Sequence, residues 1–358
     1  MSVAGLRRKI GLPLLLIASA GIGWLANRAG IPLAWMVAPM ILSATSTMIF
    51  DLPRLPVKVR YIGQCVVGAA VGLYLTPEAL ARIVEFAVPI LLGAAAITSA
   101  ACVIALIQIR FAGADPATAV FSNVPGGPMD MALLAHQNGG DPGRTALAQT
   151  LRIAMVVLLF PPILFGLSDD PMPRIVEYGT YFDSLLIVLV AIVAGIIAKR
   201  LNFINAFFLG PLLVVGAATG MNVGLSHFHE GIVPAAQVLL GVSLGGMFQR
   251  EVLSGAGRFL GSILATSACL MVVSFLVAEA IAQIYGSDLA TMALANAPGA
   301  VPEMVVTAQV LHLEVPLVAS FQFVRIVFSL AMAAIFFRLY RRTSLILAAR
   351  KAGQNEAE

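Results

Sequence analysis

Apolar residues occur along this chain in long stretches that are separated by short polar connections. Each stretch approaches the ~20 residues that an α-helix needs to cross the hydrocarbon core of a membrane. We therefore predict an all-α polytopic membrane protein with ten spans, five in each half of the chain. The spans are expected near residues 11–27, 31–50, 61–76, 86–109 and 145–166, and near residues 181–198, 203–221, 233–248, 257–284 and 315–338.

The composition supports this fold class. Hydrophobic residues make up 59% of the 358 residues and charged residues only 11%, whereas a soluble domain carries ~25% charged residues. These values exclude a soluble enzyme, a disordered chain and a nucleic-acid-binding domain. The net charge of +4 is better explained by basic residues on the cytoplasmic side of a membrane protein than by a basic patch that binds nucleic acid. Cys65, Cys102 and Cys269 lie in separate apolar stretches, which argues against a disulfide or a zinc site.

Proline and glycine interrupt one apolar segment in each half of the chain. The first segment, residues 115–130, contains Pro125-Gly126-Gly127-Pro128, and the second, residues 288–303, contains Pro298-Gly299 and a further proline. A helix cannot continue through such a run, and in lipid the freed backbone groups need partners from the protein or from water. We predict that each segment is a re-entrant hairpin of two half-helices; a broken spanning helix is the alternative. Both structures mark binding sites in transporters.

An internal repeat relates the two halves at a fixed offset of 173 residues. Polar, glycine and proline positions agree at this offset without a gap, which indicates a tandem duplication. The matched pairs include Asp115 and Asp288, Asn123 and Asn296, Pro125 and Pro298, Gly126 and Gly299, Gln149 and Gln322, Arg152 and Arg325, Gln64 and Gln237, Gly68 and Gly241, Gly72 and Gly245, and the acids Asp130 and Glu303. The predicted organisation is a first membrane repeat at 1–167 with its hairpin at about 115–140, an outer linker at 168–180, a second repeat at 181–342 with its hairpin at about 288–313, and a cytoplasmic tail at 343–358 with a disordered acidic end.

Basic residues indicate how the two repeats are oriented. If each broken segment returns to its own side, each repeat has five crossings and the second repeat is inverted. In that case 17 of the 22 Lys and Arg residues lie on the cytoplasmic side and 3 lie outside. If both segments cross the membrane, the repeats are parallel and the count is 13 against 7. The positive-inside rule favours the inverted arrangement, with both termini in the cytoplasm of a bacterial inner membrane.

The inverted arrangement predicts a binding site where the tips of the two hairpins meet near the membrane midplane. Gly126, Gly127 and Gly299 permit a ligand to approach the backbone closely. Asp130 and Glu303 fall in the first turn of the second half-helices, near the positive end of the helix dipole. Each acid is either a binding group, since ionisable residues at membrane depth are costly, or only a cap of its own helix.

Arg152 and Arg325 lie inside apolar spans, and a glutamine precedes each of them by three residues on the same helical face. We expect each arginine to neutralise a hairpin acid or to bind a substrate carboxylate; a purely structural Arg–acid pair is the alternative. An asparagine ends each first half-helix, as a helix terminator or as a ligand. The expected substrate- or ion-binding residues are Asn123, Pro125, Gly126, Gly127, Asp130, Gln149, Arg152, Asn296, Pro298, Gly299, Glu303, Gln322 and Arg325, with Gln64 and Gln237 as lining residues and with no catalytic or metal-binding residue.

Two sequence blocks resemble the AbrB-type family of bacterial inner-membrane proteins. They are Pro-Gly-Gly-Pro-Met-Asp-Met at 125–131 and Pro-Gly-Ala-Val-Pro-Glu-Met at 298–304, each followed by Gln-x-x-Arg. The resemblance extends from about residue 10 to 340 and implies a duplicated membrane domain. Members are often labelled ammonia monooxygenases or regulators and are treated as transporters, and their substrates are poorly defined. Carried over by position, the motif residues are Pro125, Gly126, Gly127, Met129, Asp130 and Met131, and Pro298, Gly299, Pro302, Glu303 and Met304. The first block has Asp130 where the commoner pattern has Glu.

These features together predict a secondary-active transporter that moves a small solute by alternating access. The sequence contains no GxxxxGK[ST] P-loop, which leaves an H+ or Na+ gradient as the energy source. The paired arginines favour an anionic, carboxylate-type substrate. The alternatives are a channel or pore for a small solute and a membrane-embedded regulator without transport activity. We expect no enzyme activity, no cofactor and no nucleic-acid partner; the expected partners are the lipid bilayer, the solute and, by analogy with carriers that need a fixed scaffold, a second copy of the chain.

Overall fold

The computed structural model describes residues 3–50, 55–166, 178–203, 205–248 and 257–355. These ranges contain helices and no strand, which confirms the predicted fold class. In chain order the helices are α1 (Val3–Arg28), α2 (Ala34–Phe50), α3 (Val57–Gly72), α4 (Pro77–Glu85), α5 (Ala87–Ala112), α6 (Pro116–Asn123), α7 (Pro128–Gln137), α8 (Pro142–Phe165), α9 (Tyr181–Arg200), α10 (Ala206–Gly220), α11 (Ile232–Gly245), α12 (Gly257–Tyr285), α13 (Leu289–Asn296), α14 (Val301–Val310) and α15 (Val315–Asn355).

The ten predicted spans coincide with helices, but not all of these helices have the length of a full span. Five described helices are long and apolar enough to cross a membrane, or six if α3 and α4, bent by 90°, count as one. The helices α2, α10 and α11 are apolar but have only 17, 15 and 14 residues. At 1.5 Å per residue each is shorter than the ~30 Å hydrocarbon core. Sequence hydropathy did not separate these short helices from full spans, because both are equally apolar.

Two further differences from the sequence predictions concern the connections. The short amphipathic helix α4 begins after Thr76, whose side chain accepts a hydrogen bond from the backbone of Ala79, and it was not predicted. The helix α15 continues to Asn355, so most of the segment that we expected to be a tail is helical, and 356–358 lie outside the described residues. Most of the predicted outer linker, 167–177, also lies outside them.

Glycine-mediated helix crossings hold one bundle together, which consists of α1, α2, α3, α9, α10 and α11. A Cβ atom added to Gly68 of α3 would lie 2.2 Å from the carbonyl oxygen of Phe208 in α10. The repeat-related Gly241 of α11 lies equally close to α2, where an added Cβ would be 2.3 Å from the carbonyl oxygen of Met36. Gly72 and Gly245 extend both contacts by one turn, as in small-xxx-small packing of membrane helices. Each crossing joins a helix of one repeat to a helix of the other.

A second bundle, formed by α5 to α8 and α12 to α15, contains both broken segments. Here too the repeats are interleaved, because α5 packs against α12 and α15, and α8 packs against α12. Buried polar contacts cross between the repeats: the hydroxyls of Thr98 and Ser329 are 2.9 Å apart, and the Gln108 amide donates to the Thr266 hydroxyl at 3.4 Å. The chain therefore forms one interlocked structure in which neither repeat packs alone.

Candidate functional site

The broken segments of the two repeats have identical helix lengths and matching starts. The half-helices α6 and α13 both have 8 residues, and α7 and α14 both have 10. Asp115 caps α6 by accepting the Thr118 amide at 2.8 Å, and Asp288 caps α13 by accepting the Thr291 amide at 2.7 Å. Aspartate is a strong helix cap because its carboxylate accepts the free N–H groups of the first turn.

The first broken segment is a hairpin, because its two ends are hydrogen-bonded to each other. The backbone N–H of Asp141, just after α7, donates to the hydroxyl of Thr118 in the first turn of α6 at 2.7 Å. A segment that crossed the membrane would have its ends far apart. The turn after α7, in which Gly140 donates to the Ala135 carbonyl at 2.8 Å, recurs after α14 between repeat-related residues at 2.9 Å. We name α6 with α7 hairpin 1 and α13 with α14 hairpin 2.

At the tip of each hairpin, a buried glutamine from the following long helix satisfies the backbone that the break leaves open. Gln149 of α8 donates to the carbonyls of Phe121 and Val124 at 2.7 and 2.8 Å, and to that of Ser122 at 3.4 Å. Because buried carbonyl groups need hydrogen-bond donors, this amide replaces the helical partners that Pro125 and the glycines remove. The glutamine is fully buried, with 0% exposure.

Hairpin 2 repeats this arrangement residue for residue. Gln322 of α15 donates to the carbonyls of Leu294, Ala295 and Ala297 at 2.9, 3.2 and 3.0 Å. These are the three positions that correspond to the partners of Gln149 at the offset of 173. The two glutamines therefore have the same structural role in both repeats, and neither contacts open space.

The two buried arginines cap carbonyl groups at the breaks. Arg152 donates to the carbonyls of Ser122 and Asn123 in hairpin 1 at 3.1 and 2.9 Å, and to that of Pro298 in hairpin 2 at 3.0 Å. Arg152 also donates to the side-chain oxygen of Gln149. Arg152 thus connects the tips of both hairpins, and its positive charge lies at the negative end of a half-helix.

Arg325 is bound differently from its repeat-related partner. It donates to the carbonyls of Ala297 and, at 2.8 Å, Gly299, both in its own hairpin. Neither arginine forms an ion pair with Asp130 or Glu303; the ion pairs in the described part of the chain involve Arg82 and Arg144. Of the roles expected for the arginines, a pair with a hairpin acid is not formed in this structure, because the guanidinium groups are held by backbone carbonyls; binding of a substrate carboxylate stays a prediction.

The two asparagines end their own half-helices. The Asn123 side-chain amide donates to the Ala119 carbonyl at 2.8 Å, and that of Asn296 donates to the Met292 carbonyl at 3.0 Å. Both side chains are buried, and the Asn296 side-chain oxygen lies against Gly93 of α5, at 2.5 Å from an added Cβ. Of the two roles considered for them, the structure shows the helix-terminating one.

A cavity of about 90 Å³ lies between the tips of the two hairpins and α3. Six of the predicted residues line it, from both repeats. They are Gly126, Gly127, Asp130, Gly299, Arg325 and Gln64. The other predicted residues do not line it: Asn123, Pro125, Gln149, Arg152, Asn296, Pro298, Glu303, Gln322 and Gln237.

Two polar lining residues, Arg60 and Asn205, are not among the predicted site residues. Arg60 precedes Gln64 by one helical turn, so the two share a face of α3. This spacing is the sequence signal that points to Arg60. Asn205 accepts a hydrogen bond from the Gln64 amide at 3.5 Å. The lining thus includes two basic residues, Arg60 and Arg325, and one acidic residue, Asp130.

The two hairpin acids have opposite surroundings. Asp130 is exposed and lines the cavity, and it belongs to a helix in which only Pro128, Met131 and Ala135 are buried. Glu303 is 1% exposed, and one of its carboxylate oxygens, Oε2, has no hydrogen-bond partner. Its helix α14 is buried continuously from Val301 to Ala308 and packs against α3 and α8.

The repeat-related partner of Gln64 lies in a different cavity. Gln237 lines a space of about 210 Å³ together with Tyr74, His227, Glu230 and Gln309. This space shares no lining residue with the cavity between the hairpin tips. In the described part of the chain, no three His, Cys, Asp or Glu side chains lie close enough together to hold a metal ion.

The chain belongs to the AbrB family, because residues 35–341 match the family described as transition state regulatory protein AbrB. Two relatives cover almost the whole chain. The uncharacterised protein YhjN of Bacillus subtilis (strain 168) is 26% identical over 352 residues, which span 90% of this chain and 91% of YhjN. A candidate regulator named AbrB, of Escherichia coli (strain K12), is 23% identical over 323 residues, which span 88% of this chain and 92% of that protein. The chain is thus a polytopic membrane protein of this family.

Proposed function

We propose that this protein is a secondary-active carrier of a small carboxylate, that it works by alternating access, and that the solute binds in the cavity between the two hairpin tips. The carrier lies in the bacterial inner membrane with both termini in the cytoplasm, and it has no enzyme activity. The observation that carries the proposal is the cavity itself. It is lined from both repeats by residues of the glycine breaks and by two basic residues, Arg60 and Arg325.

The chemistry of the cavity favours a short-chain carboxylate as its ligand. A space of about 90 Å³ holds several water molecules or a solute of two or three carbon atoms. Guanidinium groups bind carboxylates through charge-assisted hydrogen bonds, which are stronger than those between neutral groups. Gln64, Gly126 and Gly127 also line the cavity and provide further contacts for such a solute.

The unequal burial of the hairpins supports alternating access. In inverted-repeat carriers, the two repeats exchange conformations, and the site opens to one side and then to the other. Here α14 is sealed against α3, whereas α7 leaves Met129 and Leu133 75% and 56% exposed. In the opposite state we expect α7 to be sealed and α14 to be open.

Exchange of solute in proteoliposomes tests the proposal. The vesicles are loaded with unlabelled glycolate, lactate or pyruvate, and uptake of the same radiolabelled acid is followed against protein-free vesicles. We expect accelerated exchange of at least one acid, which a channel does not produce. The variant Arg60→Gln should exchange the acid at least about tenfold more slowly, because it loses one charge-assisted hydrogen bond to the solute.

The matched control is Arg28→Gln, because Arg28 is exposed and lies over the ring of Trp24 at 4.9 Å, away from the cavity. This variant should exchange the acid at the wild-type rate. If the wild-type protein exchanges none of the three acids above the rate of empty vesicles, the proposal of a short-chain carboxylate carrier is wrong. Equal losses in both variants would show that Arg60 does not act through the cavity.

A further inference from the structure

We propose that the coupling ion is a proton carried by Glu303, and that buried side chains at both hairpin tips occupy the places where a bound Na+ would lie. The inference rests on the proposed carrier function and names its energy source. It depends on two observations: the donors bound to the hairpin carbonyls, and the unpartnered oxygen of a fully buried carboxyl group.

The carbonyl groups at a helix break are the natural ligands of a coupling cation. In transporters with discontinuous helices, unwound carbonyls and half-helix C-termini coordinate Na+. The carbonyl end of a helix also carries a partial negative charge. Both breaks in this chain therefore offer the type of site in which a Na+-coupled carrier holds its ion.

In this chain those carbonyls already have partners. At the first break, the carbonyls of Phe121, Ser122, Asn123 and Val124 accept hydrogen bonds from Gln149 and Arg152. At the second break, the carbonyls of Leu294, Ala295, Ala297, Pro298 and Gly299 accept hydrogen bonds from Gln322, Arg325 and Arg152.

The donors at the breaks bring permanent positive charge. A guanidinium group stays protonated in proteins, and both arginines are 2% exposed. A Na+ ion at either break would have to displace these hydrogen bonds and lie beside a like charge. The arginines are thus resident cations, and together with the glutamines they occupy the nine carbonyls named above, which a mobile cation would otherwise use.

Glu303 has the environment of a neutral carboxyl group. Its side chain is 1% exposed and its Oε2 atom has no hydrogen-bond partner. Of the elements packed against α14, α13 contributes no charged residue, and α15 and α8 contribute Arg325 and Arg152, which are bound to carbonyls. From α3, Arg60 lines the cavity and acts electrostatically on Glu303, but it lies too far from the carboxyl group to form an ion pair with it. Because a buried, unpaired carboxylate is very costly, the group holds a proton in this state.

The repeat-related acid indicates how the proton is released. Asp130 occupies the same position in hairpin 1, and there it is exposed to the cavity. When hairpin 2 adopts the open arrangement of hairpin 1, Glu303 reaches water on the outer side and binds a proton there. After hairpin 2 closes and hairpin 1 opens, the proton leaves to the cytoplasmic side through the cavity, which the neighbouring residues Val301 and Pro302 line.

The test compares net and exchange transport in proteoliposomes that contain a pH-sensitive dye. An inward gradient of pyruvate or lactate is applied to wild-type protein, Glu303→Gln and Glu85→Gln. We expect wild-type proton movement that persists when choline replaces Na+. Glu303→Gln should lower proton movement at least tenfold, to the level of empty vesicles, and retain exchange within about threefold, because exchange needs no deprotonation. Glu85 is exposed and paired with Arg82, so Glu85→Gln should match the wild type in both assays.

The outcomes separate this inference from the carrier proposal. Absence of exchange in the wild-type protein contradicts the carrier proposal. Exchange together with a strict Na+ requirement, or undiminished proton movement in Glu303→Gln, overturns the proton inference alone. A second test needs no solute. The melting temperature of the purified protein at constant ionic strength should be the same in Na+ as in choline. A saturable increase of the melting temperature with Na+ overturns the inference whatever transport shows.

Discussion

The two hairpins have the same helices, caps and glutamine contacts, yet they differ in burial. In hairpin 1, α7 is largely exposed and its acid, Asp130, faces a cavity. In hairpin 2, α14 is buried along eight consecutive residues together with Glu303. Since repeat-related sequences form both, the difference belongs to the conformation of the whole molecule. A chain whose two repeats have matching sequences thus adopts a conformation in which the two hairpins are buried to different extents.

The hairpins also differ in how completely their polar groups are paired. At hairpin 1, the side-chain oxygen of Gln149 accepts from Arg152, and that arginine reaches carbonyls of both hairpins. At hairpin 2, Gln322 Oε1, Arg325 Nε and Glu303 Oε2 are all buried without a partner. Unpaired buried polar atoms raise the energy of the sealed arrangement. At hairpin 1 the Ser122 Oγ atom is also buried without a partner, so opening hairpin 2 to water would relieve a larger cost than hairpin 1 carries.

The largest difference is expected between the two buried arginines. Arg152→Leu leaves three buried carbonyls without that donor, and each unpaired group costs about 1–3 kcal/mol, so the loss should be about 3 kcal/mol or more. Arg325→Leu affects only its own hairpin and should cost less. Thermal unfolding of the purified variants in one detergent gives the comparison. Equal losses would show that the link to Pro298 contributes nothing.

A smaller difference should appear in the coupling between glutamine and arginine. A double-mutant cycle of Gln149→Ala and Arg152→Leu should give a coupling free energy of about 1 kcal/mol, because the two side chains are hydrogen-bonded. The matched cycle of Gln322→Ala and Arg325→Leu should give a value near zero, since Gln322 Oε1 has no partner. Similar coupling free energies in both cycles would contradict the proposal that the glutamine and the arginine are hydrogen-bonded to each other only in the first repeat.

The smallest effect on stability is expected at Gly127, the glycine of the hairpin 1 tip whose equivalent in hairpin 2 is an alanine. Gly127 corresponds to Ala300, and an added Cβ at Gly127 would lie 2.5 Å from the Oδ2 atom of Asp130. The backbone of Gly127 has φ −67°, which alanine adopts freely, and the end of a side chain can move. Gly127→Ala should therefore change thermal stability by less than about 1 kcal/mol. A large loss would mean that the position of Asp130 is fixed.

The helices, the duplication and the two breaks could be predicted from the sequence, because the length of apolar stretches, the fixed offset and the Pro–Gly runs are all visible without knowledge of the contacts in three dimensions. The sequence also located Gln149, Arg152, Gln322 and Arg325 at membrane depth. It did not identify their partners, since a buried arginine can equally be paired with a carboxylate or with carbonyl groups. That choice depends on which tip the guanidinium reaches in three dimensions.

The asymmetry of the hairpins could not be predicted from the sequence at all. Asp130 and Glu303 occupy equivalent positions, and a largely apolar half-helix surrounds each of them. Which of them is exposed depends on how the two bundles sit against each other. The short helix α4 has nine residues and is not an apolar stretch, so hydrophobic length does not predict it. The place of Arg60 in the cavity depends on its neighbours in space, which the sequence does not give.

The most direct test of the account is the side from which each hairpin can be reached. Asp130→Cys and Glu303→Cys are made separately in a protein that carries Cys269→Ala. Each variant is labelled with a membrane-impermeant thiol reagent in vesicles of known orientation. The untouched Cys65 and Cys102, buried and half-buried, serve as the background control. We predict that Asp130→Cys reacts from the cytoplasmic side, and that Glu303→Cys reacts at least tenfold more slowly and only from the outer side. Reaction of both cysteines from the same side would contradict inverted hairpins and alternating access.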